Sequence, residues 1–217
     1  DDDINERPSI FDLFMTFYIN YSEINAFLNS DGMFIIDELS IEPFHMEAAI
    51  QYYLKVLNKK NAKALFKLGC IYQDGELIER DINQSIYYFT LAANQNFVDA
   101  QCALGEIYYD GKHVPFDNRK SIYFYTLAAD QNSVIAQSIL GSIYFKINKI
   151  KKAIYYFTLA ADQNDADSQF KLGFIYSTGK YVSIDKNKAL HYYTRAADQN
   201  HPKAQFNLGV IYEDGEI

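Results

Sequence analysis

Leu104-Gly105-Glu106-Ile107-Tyr108, continuing through Asp110-Gly111 to Ser121-Ile122-Tyr123-Phe124-Tyr125-Thr126-Leu127-Ala128-Ala129-Asp130-Gln131-Asn132, is the stretch that decides the fold. Its opening motif returns around Gly69, Gly141, Gly173 and Gly209, always as Leu-Gly, one variable residue, then Ile-Tyr. Successive glycines are 36, 36, 32 and 36 residues apart. Self-similarity at such a period marks a stacked array, in which each unit buries its apolar face against its neighbours, rather than a single globular core.

Within each copy the cues describe two helices. With the motif glycine as zero and 100° per residue, the recurring positions −5 (Ala, once Ser168), −1 (Leu), 0, +2 (Ile) and +3 (Tyr) fall between about 200° and 360°, one buried face. A glycine inside a helix costs about 1 kcal/mol relative to alanine. Its recurrence predicts close approach by rings of the second helix, such as Tyr87, Tyr88 and Phe89. The first helix should stop at Asp74-Gly75, Asp110-Gly111, Thr178-Gly179 and Asp214-Gly215, where glycine takes the left-handed conformation. The second should open on Asp81, Asp117 and Asp185 as caps and close at Asn96, Asn132, Asn164 and Asn200. The 32-residue unit lost its four residues between the helices, where Phe145-Lys146-Ile147-Asn148-Lys149-Ile150 replaces the Asp-Gly connection. That marks the connection as a loop.

Ahead of the first full copy, Pro43 to Ile50 aligns without a gap on Pro115 to Ile122, so the array begins before Gly69. Ile50 to Lys59 reads as a second helix whose first helix has decayed or is replaced by what precedes it. Residues 1–42 form a leader and residues 43–217 the array, cut off within its last repeat. In the leader, Phe14, Phe17, Tyr18, Tyr21 and Ile24 recur at helical spacing, and Met33 to Leu39 reads as either a degenerate helix or a short strand. The chain does not begin with Met, so it is expected to be a piece of a longer protein.

Composition limits the functions available. Hydrophobic residues make up 49% and charged residues 22%, an ordinary folding balance, and 19 Tyr and 16 Phe with no Trp give a core built from single rings. A net charge of −8 argues against a nucleic-acid partner, which requires clustered Lys and Arg against phosphates. No apolar run reaches the roughly 18 residues of a membrane span, and Asp1-Asp2-Asp3 is unlike a signal peptide, so no membrane association is expected. Cys70 and Cys102 occupy different positions of their repeats, which predicts free thiols in a reducing, cytoplasmic setting rather than a disulfide framework.

No constellation for chemistry emerges. His45, His113, His191 and His201 lack paired ligand spacing, and the Asp-Gly pairs lack the alternating acidic ligands and closing Glu of a calcium loop. No metal, cofactor, catalytic residue or small-molecule substrate is expected. The stripe Tyr87-Tyr88-Phe89, with its copies Tyr123-Phe124-Tyr125 and Tyr155-Tyr156-Phe157, recurs so regularly that it reads as core rather than as a stacking site.

The pattern A-x3-LGxIY, then DG, then D-x3-SIYYFTLAADQN resembles the Sel1-like repeat, a relative of the tetratricopeptide repeat with a longer turn between its helices. The resemblance covers roughly residues 43 to 217. It departs from the family in ending the second helix on Asn where Gly is common, and the unit after Gly141 resembles a short tetratricopeptide-type unit. It implies an all-α, right-handed superhelical solenoid of antiparallel helix pairs, and a non-catalytic adaptor that binds a protein or peptide. Separately, Glu6-Arg7-Pro8-Ser9-Ile10 with Asp12, Leu13 and Phe17 resembles the last helix of a tyrosine-kinase-like protein kinase domain. That implies an alternative, a regulatory or substrate-recruiting region behind an upstream kinase domain; the kinase catalytic motifs are absent from this chain.

In related solenoids the first helices line the concave side. Positions −3, +1, +4 and +5 of the first helix lie between about 40° and 140°, opposite the buried arc, and differ from copy to copy, as a site for a non-periodic ligand must. They nominate Phe66, Glu106, Tyr109, Phe145, Phe170, Phe174 and Phe206 as partner-binding residues, with Tyr109, Phe145 and Phe174 as the aromatic anchors.

Overall fold

A computed structural model describes residues 61–75 and 79–213. The kinase-like stretch 6–17, the leader and the proposed array start at residue 43 lie outside the described residues. Every described element is an α-helix: α1 Ala62–Asp74, α2 Ile82–Ala93, α3 Val98–Asp110, α4 Asn118–Ala129, α5 Val134–Lys146, α6 Ile150–Asp162, α7 Ala166–Thr178, α8 Lys186–Asp198 and α9 Pro202–Glu213. The chain divides into two compact units, residues 1–85 and 86–217.

In the first unit, Asn61 caps α1 by accepting from the Ala64 amide, and Ala64, Leu65, Leu68 and Gly69 form its buried face. Gly75 ends α1 in the left-handed conformation, with φ 72°, and its amide donates to the Ile71 carbonyl. Asp81 then accepts from the amides of Asn83 and Gln84, opening the next helix as a capping aspartate should.

In the second unit each first helix packs on the second helix that follows it, α3 on α4, α5 on α6 and α7 on α8. Each second helix also packs on the next first helix, α4 on α5, α6 on α7 and α8 on α9. This is the stacking of an α-solenoid. Three rings explain the motif glycines: a Cβ built on Gly105, Gly141 or Gly173 would stand 2.9, 2.5 or 2.6 Å from the ring of Tyr125, Phe157 or Tyr193. In these three copies the nearest ring is the third of the aromatic run. The second stacks on the tyrosine of the motif, Phe124 on Tyr108, Tyr156 on Tyr144 and Tyr192 on Tyr176. A lysine ammonium also sits over each tyrosine ring, Lys120, Lys152 and Lys188 in turn.

The first ring of each run corrects the expectation that the whole stripe is core. Tyr123 and Tyr155 are each 58% exposed, packed edge-on against the following ring. Three consecutive residues of a helix span about 200° of its circumference, so one buried face cannot take them all.

A buried polar ladder ties repeat to repeat. Gln101, Gln137 and Gln169 have no more than 1% exposure. Their amide nitrogens donate to the carbonyls of Ala93, Ala129 and Ala161 in the preceding second helix. Their carbonyls accept at 2.8 Å from Gln131, Gln163 and Gln199 at the end of the following one. Each of α3, α5 and α7 is thereby bonded to both neighbours, with both ends of its buried amide satisfied.

Among the described residues the helix ends follow the signals; the expected Asp214-Gly215 stop lies outside them. Asp117 and Asp185 accept from amides of the first turn of α4 and α8. Asn96, Asn132, Asn164 and Asn200 take φ between 61° and 70°, and Gly111 and Gly179 are left-handed caps. In the short unit, α5 and α6 keep 13 residues each, and Asn148, φ 59°, turns the chain in place of the missing glycine loop.

Candidate protein-interaction face

On the first helices α3, α5, α7 and α9 the nominated side chains are neither all free nor all core. Tyr109, Phe145, Phe170 and Phe174 are half-buried, whereas Glu106 and Phe206 are exposed, Phe206 at 72%. Phe66, on α1 of the first unit, is half-buried.

Loops contribute what the helical-wheel reading missed. Tyr181, from the α7–α8 connection, sets its ring 4.8 Å from Phe145 and 6.3 Å from Phe174, joining those two nominated residues in one cluster. Phe116, from the α3–α4 connection, lies 6.2 Å from Tyr109, and the Lys146 ammonium sits over the Tyr109 ring. The connections are therefore more than helix stops. Gly111 and Gly179 permit this path, since a Cβ on either would press on Phe116 or Ile184. A periodic signal could not have found Tyr181, because the matching position of the preceding long loop is His113.

Further along the face, Phe170 stacks on His201 at 4.7 Å and lies 5.9 Å from Tyr193. His201 is fixed at both ring nitrogens: Nδ1 accepts from the Ala204 amide, capping α9, and Nε2 pairs with Asp167 at 3.1 Å. Ser138 donates to Asp165, whose carboxylate also caps α7 through the Ser168 amide, and the Ser168 hydroxyl donates back to Ser138.

Reactive groups are muted. Cys70 and Cys102 are half-buried and form no disulfide. Burial pushes the Cys102 thiol above its ordinary range, against a weak contact to Ser133. Among the described residues no group of His, Cys, Asp and Glu is placed to hold a metal ion, and no helix is long and apolar enough to cross a membrane.

The geometry has close counterparts among solved structures. A protective antigen present in uropathogenic Escherichia coli strains and displaying an SLR fold superposes with a TM-score of 0.68 at 28% identity, over 81% of this chain and 37% of that one. A Sel1 repeat protein from Oxalobacter formigenes superposes with a TM-score of 0.64 at 30% identity, over 76% of this chain and 49% of that one. The chain thus spans between about a third and half of the length of these relatives. Comparison with curated proteins gives no match. Proteins built from such repeats are in general non-catalytic protein-interaction scaffolds. The Sel1 repeat model matches at residues 62–97, 98–133, 135–165, 166–201 and 202–217, and with most of its length so matched the chain belongs to the Sel1 repeat family.

Proposed function

We propose that the chain is a scaffold that holds a segment of a partner protein along the variable face of its first helices, with Tyr109, Phe145 and Phe174 as aromatic anchors. Glu106, Phe170 and Phe206 complete that face, and Phe66 carries the equivalent position in α1. The observation that supports this most is the half-buried cluster of Phe145, Phe174 and Tyr181, three rings held in place yet incompletely covered. Side chains of this kind supply most of the energy at protein interfaces, because an aromatic ring presents a large area with few rotatable bonds. The identity of the repeats at their packing positions, against variation on this face, supports the same reading. The binding array would run from residue 43 to residue 217 behind a leader of residues 1–42, in a reducing, cytoplasmic compartment suited to two unjoined thiols.

Alanine substitution at Phe145 and Phe174, each assayed for partner binding and melting temperature, tests the proposal. Lost binding with a melting temperature close to that of the parent supports it. A collapse of the melting temperature identifies the rings as core and removes the site.

A further inference from the structure

The connections α3–α4, α5–α6 and α7–α8 each join two helices that pack side by side, so all three lie on one edge of the second unit, and the turns that lead into the next first helix lie on the other. Charge is divided between these edges. Around α3–α4 stand Lys112, Arg119 and Lys120 against Asp110 and Asp117. Around α5–α6 stand Lys146, Lys149, Lys151 and Lys152 with no carboxylate, and around α7–α8 stand Lys180, Lys186 and Lys188 against Asp185. Glu213 ends α9 on the same edge, so ten cations, all exposed, stand beside four carboxylates even when each carboxylate counts as fully charged. Helix N-termini and C-termini share the edge, so their dipoles largely cancel and the excess belongs to the side chains. The opposite edge carries six aspartates against Arg195 and Lys203, and the net charge of −8 conceals the separation.

Each connection also raises an apolar side chain into solvent, Phe116 at 59%, Ile147 at 42% and Ile184 at 58% exposure, and an exposed ring follows along the second helix, Tyr123, Tyr155 and His191. Apolar tip, basic first turn and ring thus recur in three successive repeats. A partner's polypeptide segment is not periodic, whereas an edge that repeats its chemistry fits a partner that is uniform along its extent. The phosphates of a nucleic-acid backbone are uniform but offer Phe116, Ile147 and Ile184 nothing. A bilayer surface offers both, hydrocarbon below the headgroups for the apolar tips and anionic headgroups for the cations. We infer that this edge docks on an anionic lipid surface, with Phe116, Ile147 and Ile184 entering the interface. Such attachment lies on the bilayer and needs no spanning helix, and it does not rest on the proposed use of the first-helix face.

The chain has no Trp, so one introduced at position 184 reports on that tip alone. The whole chain carrying Ile184→Trp, and separately Ile135→Trp on the opposite edge, where Ile135 is exposed near the start of α5, is mixed with phosphatidylcholine vesicles with or without about 30% phosphatidylserine. Emission from position 184 should shift to the blue on the anionic vesicles and hold on the neutral ones, while position 135 stays silent. In cosedimentation, Lys149→Glu/Lys151→Glu and Ile147→Ser/Ile184→Ser should each weaken binding at least about tenfold. The melting temperature of the lysine variant should hold, because both side chains are exposed at a helix N-terminus, where carboxylates are favourable. No binding to the anionic vesicles, equal binding to neutral ones, unchanged affinity in either variant, or a response at position 135 without one at 184 overturns the inference. Tighter binding to polyglutamate or to a DNA duplex than to the vesicles also overturns it, and assigns the edge to an acidic protein or a nucleic acid.

Discussion

Gly141 on α5 lies so close to Phe157 on α6 that a Cβ built on it would stand 2.5 Å from the ring, nearer than real Cβ atoms come. Gly209, at the same position of α9, has nothing within 4 Å of such an atom among the described residues. One motif residue thus serves opposite energetics in two copies. Gly141→Ala gains about 1 kcal/mol of helix propensity but forces the ring away, and overpacking of this kind costs about 1–3 kcal/mol, so the variant should be destabilised. Gly209→Ala meets no obstacle and should stabilise α9 by up to about 1 kcal/mol. Denaturant titration of both variants checks the pair; a shift of the same sign in both contradicts the ring-contact explanation.

How far the sequence carried the fold is visible in these glycines. The helix pairs, their caps and the left-handed asparagines all followed from local rules, since each depends on backbone conformation within a few residues. The glutamine ladder did not. Gln101 and Gln131 are polar residues at recurring positions, but their bond spans 30 residues and depends on how two helices dock. The recurrence of Ala-Gln ahead of Leu-Gly, together with Asp-Gln-Asn, was the available signal. The site was legible in part, because facing arguments place Phe145 and Phe174 on one side of their helices. They cannot place Tyr181, whose position depends on the path of a non-periodic loop.

Gln137 is expected to be a stability determinant. Leucine stands at its position in α1, as Leu65, so Gln137→Leu preserves volume and helix propensity. It removes the side-chain hydrogen bonds to the Ala129 carbonyl, which keeps the Asn132 amide as a donor, and from the Gln163 amide. Each such bond contributes about 0.5–1.5 kcal/mol net, so the melting temperature should fall. Gln163→Ala in the same background should cost little more, and full additivity in this double-mutant cycle would mean the bond contributes nothing.

Ser121 is buried on α4 with a hydroxyl that has no hydrogen-bond partner among the described residues, as does Ser85 on α2, while Ala153 and Ala189 occupy the same position in α6 and α8. Ser121→Ala removes an uncompensated polar group and improves helix propensity. It should raise stability by about 1 kcal/mol, read from the urea midpoint. A lower midpoint would show that the hydroxyl is satisfied.

Alkaline pH should weaken the fold. Burial, with Glu106 adding to it, pushes the Tyr125 phenol above its ordinary value, and burial moves Tyr156 and Tyr192 in the same direction. The folded phenol holds its proton more tightly than the unfolded one. Its contribution is therefore complete below about pH 10 and is lost as the pH climbs through the raised folded value. Tyr125→Phe, which copies Phe157 and Phe89 at that position, should lose less stability between about pH 8 and pH 11 than the parent. An identical decline in both would exclude Tyr125 as a source.

Recognition along the first helices is tested most directly by site-specific photo-crosslinking in the native cell. A photoreactive phenylalanine analogue is placed at Phe174 on the proposed face, and separately at Tyr155, which is 58% exposed on α6. A discrete protein adduct from the Phe174 position, absent from the Tyr155 position, is the predicted result. An adduct from Tyr155 with none from Phe174 would contradict it.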